Sequence, residues 1–182
     1  VQVLAAIEQE VATRAPGTWL RVAGWDDSRD NGVMNAAQLD RVASRHPVWL
    51  GRVDGHAVWL NTLASALLDA AVVTQEQPAH ALRDSSGALT GGFRDQALAL
   101  LEHRLPSPTS AELRAELRAA LDACVRQGLT TVHDMATSLA AWRELVALDT
   151  EGDLPARVRV YLDGTFDDVE TLLESLCAST SR

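Results

Sequence analysis

Two short stretches place a histidine beside a carboxylate at the end of an apolar run. Asp54-Gly55-His56 follows PVWLGRV, and His133-Asp134 follows LTTV. An imidazole next to a carboxylate can bind or orient a polar substrate group, and it titrates near neutral pH. Each stretch has a second reading. Asp54-Gly55-His56 also has the composition of a tight turn, in which Gly55 lets the backbone reverse. His133 could pack beneath a helix that Asp134 caps. A third candidate is Trp25-Asp26, which closes the run TWLRVAGW. Trp19, Trp25, Trp49 and Trp59 crowd the first third of the chain, as a core cluster or as the lining of an apolar cavity.

Other chemistries lack their residues. The five histidines, His46, His56, His80, His103 and His133, show neither His-x-His nor His-Glu-x-x-His spacing, so no metal ligand is assigned. No Gly-x-Ser-x-Gly elbow or phosphate loop occurs, and Gly91-Gly92 is too short to form one. All 16 basic residues are arginine, which excludes a Schiff-base, phosphate-loop or carboxylated lysine within these residues. The arginines are scattered among 25 acids at a net charge of -9, so no nucleic-acid partner is expected. No apolar run approaches the roughly 18 residues a membrane helix needs. Cys124 and Cys177 read as buried small hydrophobes in a reducing, cytoplasmic setting. His56 and Asn61, five residues apart, diverge by roughly 140° on a helix and so do not share one pocket wall.

The elements that must position these residues follow from periodicity and capping. Val3, Leu4, Ile7 and Val11 predict a first helix, and TWLRVAGW a strand. Asn31-Gly32 signals a turn, Asn35 with Gln38 a capping box, and PVWLGRVD a second strand. Residues 56–71 read as mostly helical, with Leu60, Leu63 and Leu67 on one stripe. Residues 74–95 read as an irregular excursion with a turn at Ser86-Gly87, and a helix follows at QALALLEHRL. Thr109 and Glu112 form a second capping box, opening a helix with the stripe Leu113, Leu117, Ala120, Leu121, Cys124 and Val125 that Gly128 closes. Then come the strand LTTVHD, the helix SLAAWRELVAL, the strand PARVRVYLD and the helix DDVETLLESL. That alternation is the signature of parallel β/α units.

The ordered series GTWLRVAGWDD, LDRVASRHPVWLGRVDGHAVWLN, RDSSGALTGGF and QGLTTVHDM resembles the amidohydrolase family of metal-dependent hydrolases, in the branch that includes the N-substituted formamide deformylases. The resemblance covers roughly residues 1 to 165. It implies an α/β fold that is part of a (β/α)8 TIM barrel: residues 1–108 would be a large α+β insertion forming pocket walls, and residues 109–182 two β/α units. GLTTVHDM and ARVRVYLDG would be the second and third barrel strands. By the same resemblance, the family's metal ligands fall outside this chain, which reads as an internal fragment. The implied chemistry is hydrolysis of a C–N bond in a small amide-type molecule. A divalent metal, zinc by expectation, polarises the carbonyl and activates water in the full-length enzyme.

No catalytic residue is then assigned within these residues, and the fragment alone would hold no metal and be inactive. His56, Asp54, His133, Asp134, Trp25 and Asp26 are the residues placed nearest the substrate. MNAAQLD, QPAHAL and Asp95 depart from the family pattern, which commonly has Pro and Arg, Pro-Gly-Gly and Glu there. The alternative is a non-catalytic, self-associating fragment or degenerate relative, with open barrel edges favouring a homodimer. A nucleotide-binding α/β domain is disfavoured, because no phosphate loop follows either predicted strand.

Overall fold

The computed structural model describes residues 2–26 and 34–162. The Asn31-Gly32 turn, the expected DDVETLLESL helix and Cys177 lie outside the described residues. The chain divides into two compact units, Val1–Pro106 and Ser107–Arg182.

The first unit is built on a five-stranded sheet. Its elements in chain order are α1 (Gln2–Val11), β1 (Leu20–Trp25), α2 (Ala36–Ala43), β2 (Val48–Arg52), β3 (Ala57–Leu60), α3 (Thr62–Leu67), α4 (Ala70–Glu76), β4 (Ala81–Arg83), β5 (Leu89–Arg94) and α5 (Asp95–Glu102). The strand order is β1-β2-β3-β5-β4. β1 and β2 run parallel, and the other neighbours are antiparallel. α1 buries Ile7 and packs Val3, Leu4 and Val11 beside it, as its periodicity predicts. Asn35 caps α2 reciprocally with Gln38.

Two expectations are corrected here. The segment expected as one helix over 56–71 begins as β3, a strand whose four residues are all buried. Ala57 and Trp59 enter the core cluster shared with Ile7, Leu20 and Trp25, whereas Val58 and Leu60 enter the one shared with Val73, Phe93 and Leu101. A strand covered on both faces loses its polar alternation, so AVWL reads the same as a buried helical turn. The predicted leucine stripe breaks accordingly, with Leu60 buried and Leu67 57% exposed.

Residues 74–95 are likewise not an irregular excursion, because they hold the end of α4 and the β4–β5 hairpin. The expected turn is present. The Asp84 carboxylate accepts from the Ser86 amide (2.9 Å), the Ser86 hydroxyl (2.6 Å) and the Ala88 amide (3.0 Å), and Gly87 takes φ +84°. The glycines that hide β5 are there for packing. A Cβ on Gly92 would sit 2.8 Å from both Leu82 and the Trp59 indole nitrogen.

The second unit contains α6 (Ser110–Arg126), β6 (Thr131–Thr137), α7 (Leu139–Thr150) and β7 (Arg157–Leu162). The Thr109–Glu112 capping box forms, and Gly128 takes φ +84° beyond the helix end. β6 and β7 are parallel, with His133 opposite Arg159 and Met135 opposite Tyr161. One face of this sheet is packed: Val132, Val158 and Val160 lie against Leu117, Leu121, Leu145, Leu154 and Ala156. Arg118 of α6 reaches Asp153 at 2.5 Å, and Arg114 pairs with Glu151. Exposed pairs of this kind contribute about 0–1 kcal/mol.

Candidate functional site

In the first unit the candidate residues collect at one end of the sheet. Asp54, Gly55 and His56 make the turn between β2 and β3. The Asp54 carboxylate accepts from the His56 amide at 3.0 Å and the Arg52 Nε at 2.8 Å, while Gly55 takes φ +75°. The Arg52 guanidinium, followed by the His56 amide, lowers the Asp54 pKa from 3.8 to about 2. Asp54 is therefore a turn-forming anion, as the conformational reading has it, and the His56 ring is left exposed.

β1 delivers its end to the same place. The Val53 amide donates to the Trp25 carbonyl at 2.8 Å. The Trp25 ring is core: it is buried and meets Trp59 edge to face, with centroids 6.4 Å apart and planes at 70°. Asp26, the next residue, is half-buried.

Sequence reasoning missed the neighbours of His56. Its carbonyl accepts from the Asp95 amide at 3.3 Å. Asp95 takes φ +49° at the junction of β5 and α5, a conformation that costs a non-glycine residue roughly 1–2 kcal/mol. Its carboxylate lies 3.5 Å from His80 Nδ1 and 3.9 Å from Arg94 Nε. His80 Nδ1 is buried and has no hydrogen-bond partner among the described residues, and the Asp95 carboxylate lies beside it. The pairing of β4 with β5 brings His80 and Asp95 together, and that hairpin was the element the sequence concealed. The departure from the family pattern at Asp95 was the one available signal.

Two other polar residues are structural. Asn61 is fully buried; its side chain accepts from the Val48 and Ala64 amides and donates to the Ala43 and His46 carbonyls. His46 is buried with Nδ1 3.2 Å from the Thr18 carbonyl. As expected from spacing, His56 and Asn61 lie apart, one at the exposed turn and the other inside.

In the second unit β6 runs past the expected end at Asp134 to Thr137. Asp134 does not cap the following helix. Ser138 does so, accepting from the Ala141 amide at 3.1 Å, and Asp134 instead accepts from the Thr137 hydroxyl at 2.7 Å. Between Met135 and Thr137 the register slips, with Ala136 at φ +125°. Such a bulge with a non-glycine residue at positive φ stores strain at a strand end. The His133 ring stacks on Tyr161, with centroids 5.8 Å apart and planes at 22°, and the Tyr161 hydroxyl lies 3.4 Å from Nδ1.

Among the described residues no three His, Cys, Asp or Glu side chains assemble to hold an ion. Nor, among these residues, is any helix long and apolar enough to cross a membrane.

Comparison with known proteins sets these features in context. The model of the amidohydrolase family matches residues 1–181. The chain is 29% identical over 131 residues to Protein LONG AFTER FAR-RED 3 of Arabidopsis thaliana, covering 71% of this chain and 22% of that protein. It is 28% identical over 137 residues to the putative amidohydrolase YtcJ of Bacillus subtilis (strain 168), covering 72% and 25% respectively. The chain thus spans about a fifth to a quarter of the length of these curated relatives. In fold it is similar to two crystal structures of uncharacterized metal-dependent hydrolases. That from Pyrococcus horikoshii OT3 has TM-score 0.63 at 19% identity, covering 96% of this chain and 32% of that one. That from Pyrococcus furiosus has TM-score 0.59 at 22% identity, covering 95% and 34%.

Proposed function

Because the chain belongs to the amidohydrolase family, we propose that it is part of a metal-dependent hydrolase that cleaves the C–N bond of a small amide or formamide-like molecule. The family match along residues 1–181 carries the reading. The parallel β6–β7 pair supports it, with helices on one face and His133 and Tyr161 on the other. In this reading residues 109–182 supply two β/α units of a (β/α)8 barrel, and residues 1–108 are an insertion that walls the pocket.

The described residues do not make a metal-donor set. The proposed divalent ion, zinc by preference, would be held by residues outside those described, and this chain contributes binding and orientation. His133, with Asp134 next along the strand, offers a ring within β6 on the sheet face turned away from the helices, the side that would line the barrel interior. His56 and Asp26 offer polar groups at the sheet end of the first unit, Asp54 fixes the turn that presents His56, and Trp25 anchors the strand that carries Asp26. A cytoplasmic setting is part of the same proposal.

The test compares the complete polypeptide of the reading frame with the 182-residue chain. Metal is measured per polypeptide, and hydrolysis is followed on N-formyl and N-acetyl amines. The expected result is stoichiometric metal and chelator-sensitive hydrolysis in the complete protein, and neither in the 182-residue chain. A complete protein that holds no metal and hydrolyses none of these amides would overturn the reading. One observation favours a second reading, a non-catalytic self-associating chain: Met135 and Tyr161 stand 63% and 46% exposed on a sheet face that no described helix covers. A metal-free, inactive complete protein that sediments as a dimer would support it.

A further inference from the structure

On the face of the β6–β7 sheet turned away from α6 and α7, no described carboxylate pairs with Arg157 or Arg159. Two side-chain pairs fix which residues share that face. Arg157 donates to the Thr131 hydroxyl at 3.1 Å, and His133 stacks on Tyr161. Strand alternation puts Arg159, opposite His133 in the register, between those pairs on the same side. The intervening residues Val158 and Val160 pack on the opposite side with Leu121 and Leu145.

Arg157 is anchored by one bond to the Thr131 hydroxyl, whereas Arg159 makes no hydrogen bond or ion pair among the described residues. An arginine on a fully solvated face needs no partner. This face, however, also presents Met135 and Tyr161 side by side, and adjoining exposed apolar groups mark surfaces that take a ligand or partner. In the proposed barrel the face is covered, and a guanidinium under cover requires an anion. A substrate can supply that anion.

We propose that Arg159, with His133 held against Tyr161, is the specificity-determining set for a carboxylate-bearing substrate. The inference rests on the proposed hydrolase reading and deepens it. A guanidinium grips a carboxylate through two parallel N–H donors. The His133 ring, braced by the phenol, lies next to that grip and borders the substrate's apolar body. Arg159 thus selects substrate and takes no part in bond cleavage. Arg157, one step nearer the strand's N-terminal end and already bonded, is outside the set.

The experiment uses the complete protein and two probes differing in one group, N-formyl-4-aminobenzoate and its neutral amide N-formyl-4-aminobenzamide. Binding is measured by calorimetry and turnover by amine release, for wild type, Arg159→Gln, Tyr161→Phe and Arg157→Gln. The expected result for Arg159→Gln is a fall of about 10-fold or more in affinity and a matching rise in KM for the benzoate, as for a lost charge-assisted hydrogen bond. Its kcat and its affinity for the amide should stay within about twofold. Tyr161→Phe should weaken both probes modestly and alike, and Arg157→Gln neither. Equal effects of Arg159→Gln on the two probes, or a wild type that binds the benzoate no better than the amide, would overturn the assignment. Those outcomes in a protein that still hydrolyses N-formyl amines leave the hydrolase reading standing. Failure of that reading is a separate result, a complete protein without metal or turnover.

Discussion

Replacing Asn61 with alanine should be among the most damaging single changes in the first unit, although it removes almost no apolar surface. The side chain is fully buried and makes four hydrogen bonds, to the amides of Val48 (3.0 Å) and Ala64 (3.0 Å) and the carbonyls of Ala43 (3.1 Å) and His46 (2.9 Å). It ties the end of α2 to the start of β2 while capping α3. Each lost bond contributes about 1 kcal/mol net, and the four partner groups stay buried with no water to replace it. The cap is one of these four, so the total is about 3–5 kcal/mol.

A matched exposed change gives the scale. Asp40 makes an equivalent clamp on the same helix start, accepting from the Thr62 amide at 2.9 Å and the Thr62 hydroxyl at 2.6 Å, but in contact with solvent. Asp40→Ala should cost about 1 kcal/mol, because water takes over the freed groups. The assay is urea unfolding followed by tryptophan fluorescence, which the buried Trp25–Trp59 pair makes sensitive to this unit. If Asn61→Ala leaves too little native protein to titrate, Asn61→Ser retains an acceptor and should fall between the two. A loss below about 1 kcal/mol at Asn61, or equal losses at Asn61 and Asp40, would refute the claim that buried polar satisfaction holds this frame.

Two further outcomes follow from the site geometry. Asp54, with its pKa lowered to about 2, contributes stability that is fully present above the ordinary carboxylate range and is lost as pH falls through 2. Arg52→Gln should move its NMR-detected titration back up toward 3.8, and an unchanged midpoint would remove the guanidinium as the cause. Gly91→Ala should destabilise the unit by about 2–4 kcal/mol in the same urea assay. Gly91 takes φ +80°, and a Cβ there would meet the Leu60 carbonyl at 2.7 Å. Gly87→Ala, at φ +84° in open space, should cost only about 1 kcal/mol.

What the sequence decided by itself were features written in local chemistry. Both capping boxes, the Gly128 stop and the Ser86-Gly87 turn were legible because each depends on residues within one or two turns of each other, and the parallel β6 and β7 because strand and helix patterns alternate along the chain. The ordered motifs also carried the family, which the match over residues 1–181 shows. Tertiary structure decided what contacts across the chain determine. β3 is a strand because both its faces are covered, and that covering erased the alternation by which a strand is read. β5 requires Gly91 because of the Leu60 carbonyl and Ala36, and Gly92 because of Leu82 and Trp59, groups supplied by other elements.

The candidate sites divide in the same way. Asp54 was readable as a turn residue from its Gly-His neighbours, while Trp25 was undecided between core and cavity until Trp59 was seen against it. His80 and Asp95 meet only through the β4–β5 pairing. His133 was legible as a strand residue, but that the strand runs on to Thr137, and that the ring stacks on Tyr161 with Arg159 beside it, required the register of two strands joined by a helix. Sequence specifies a residue's own conformation through neighbours along the chain. Its chemical surroundings are set by burial and strand register, which no local pattern encodes.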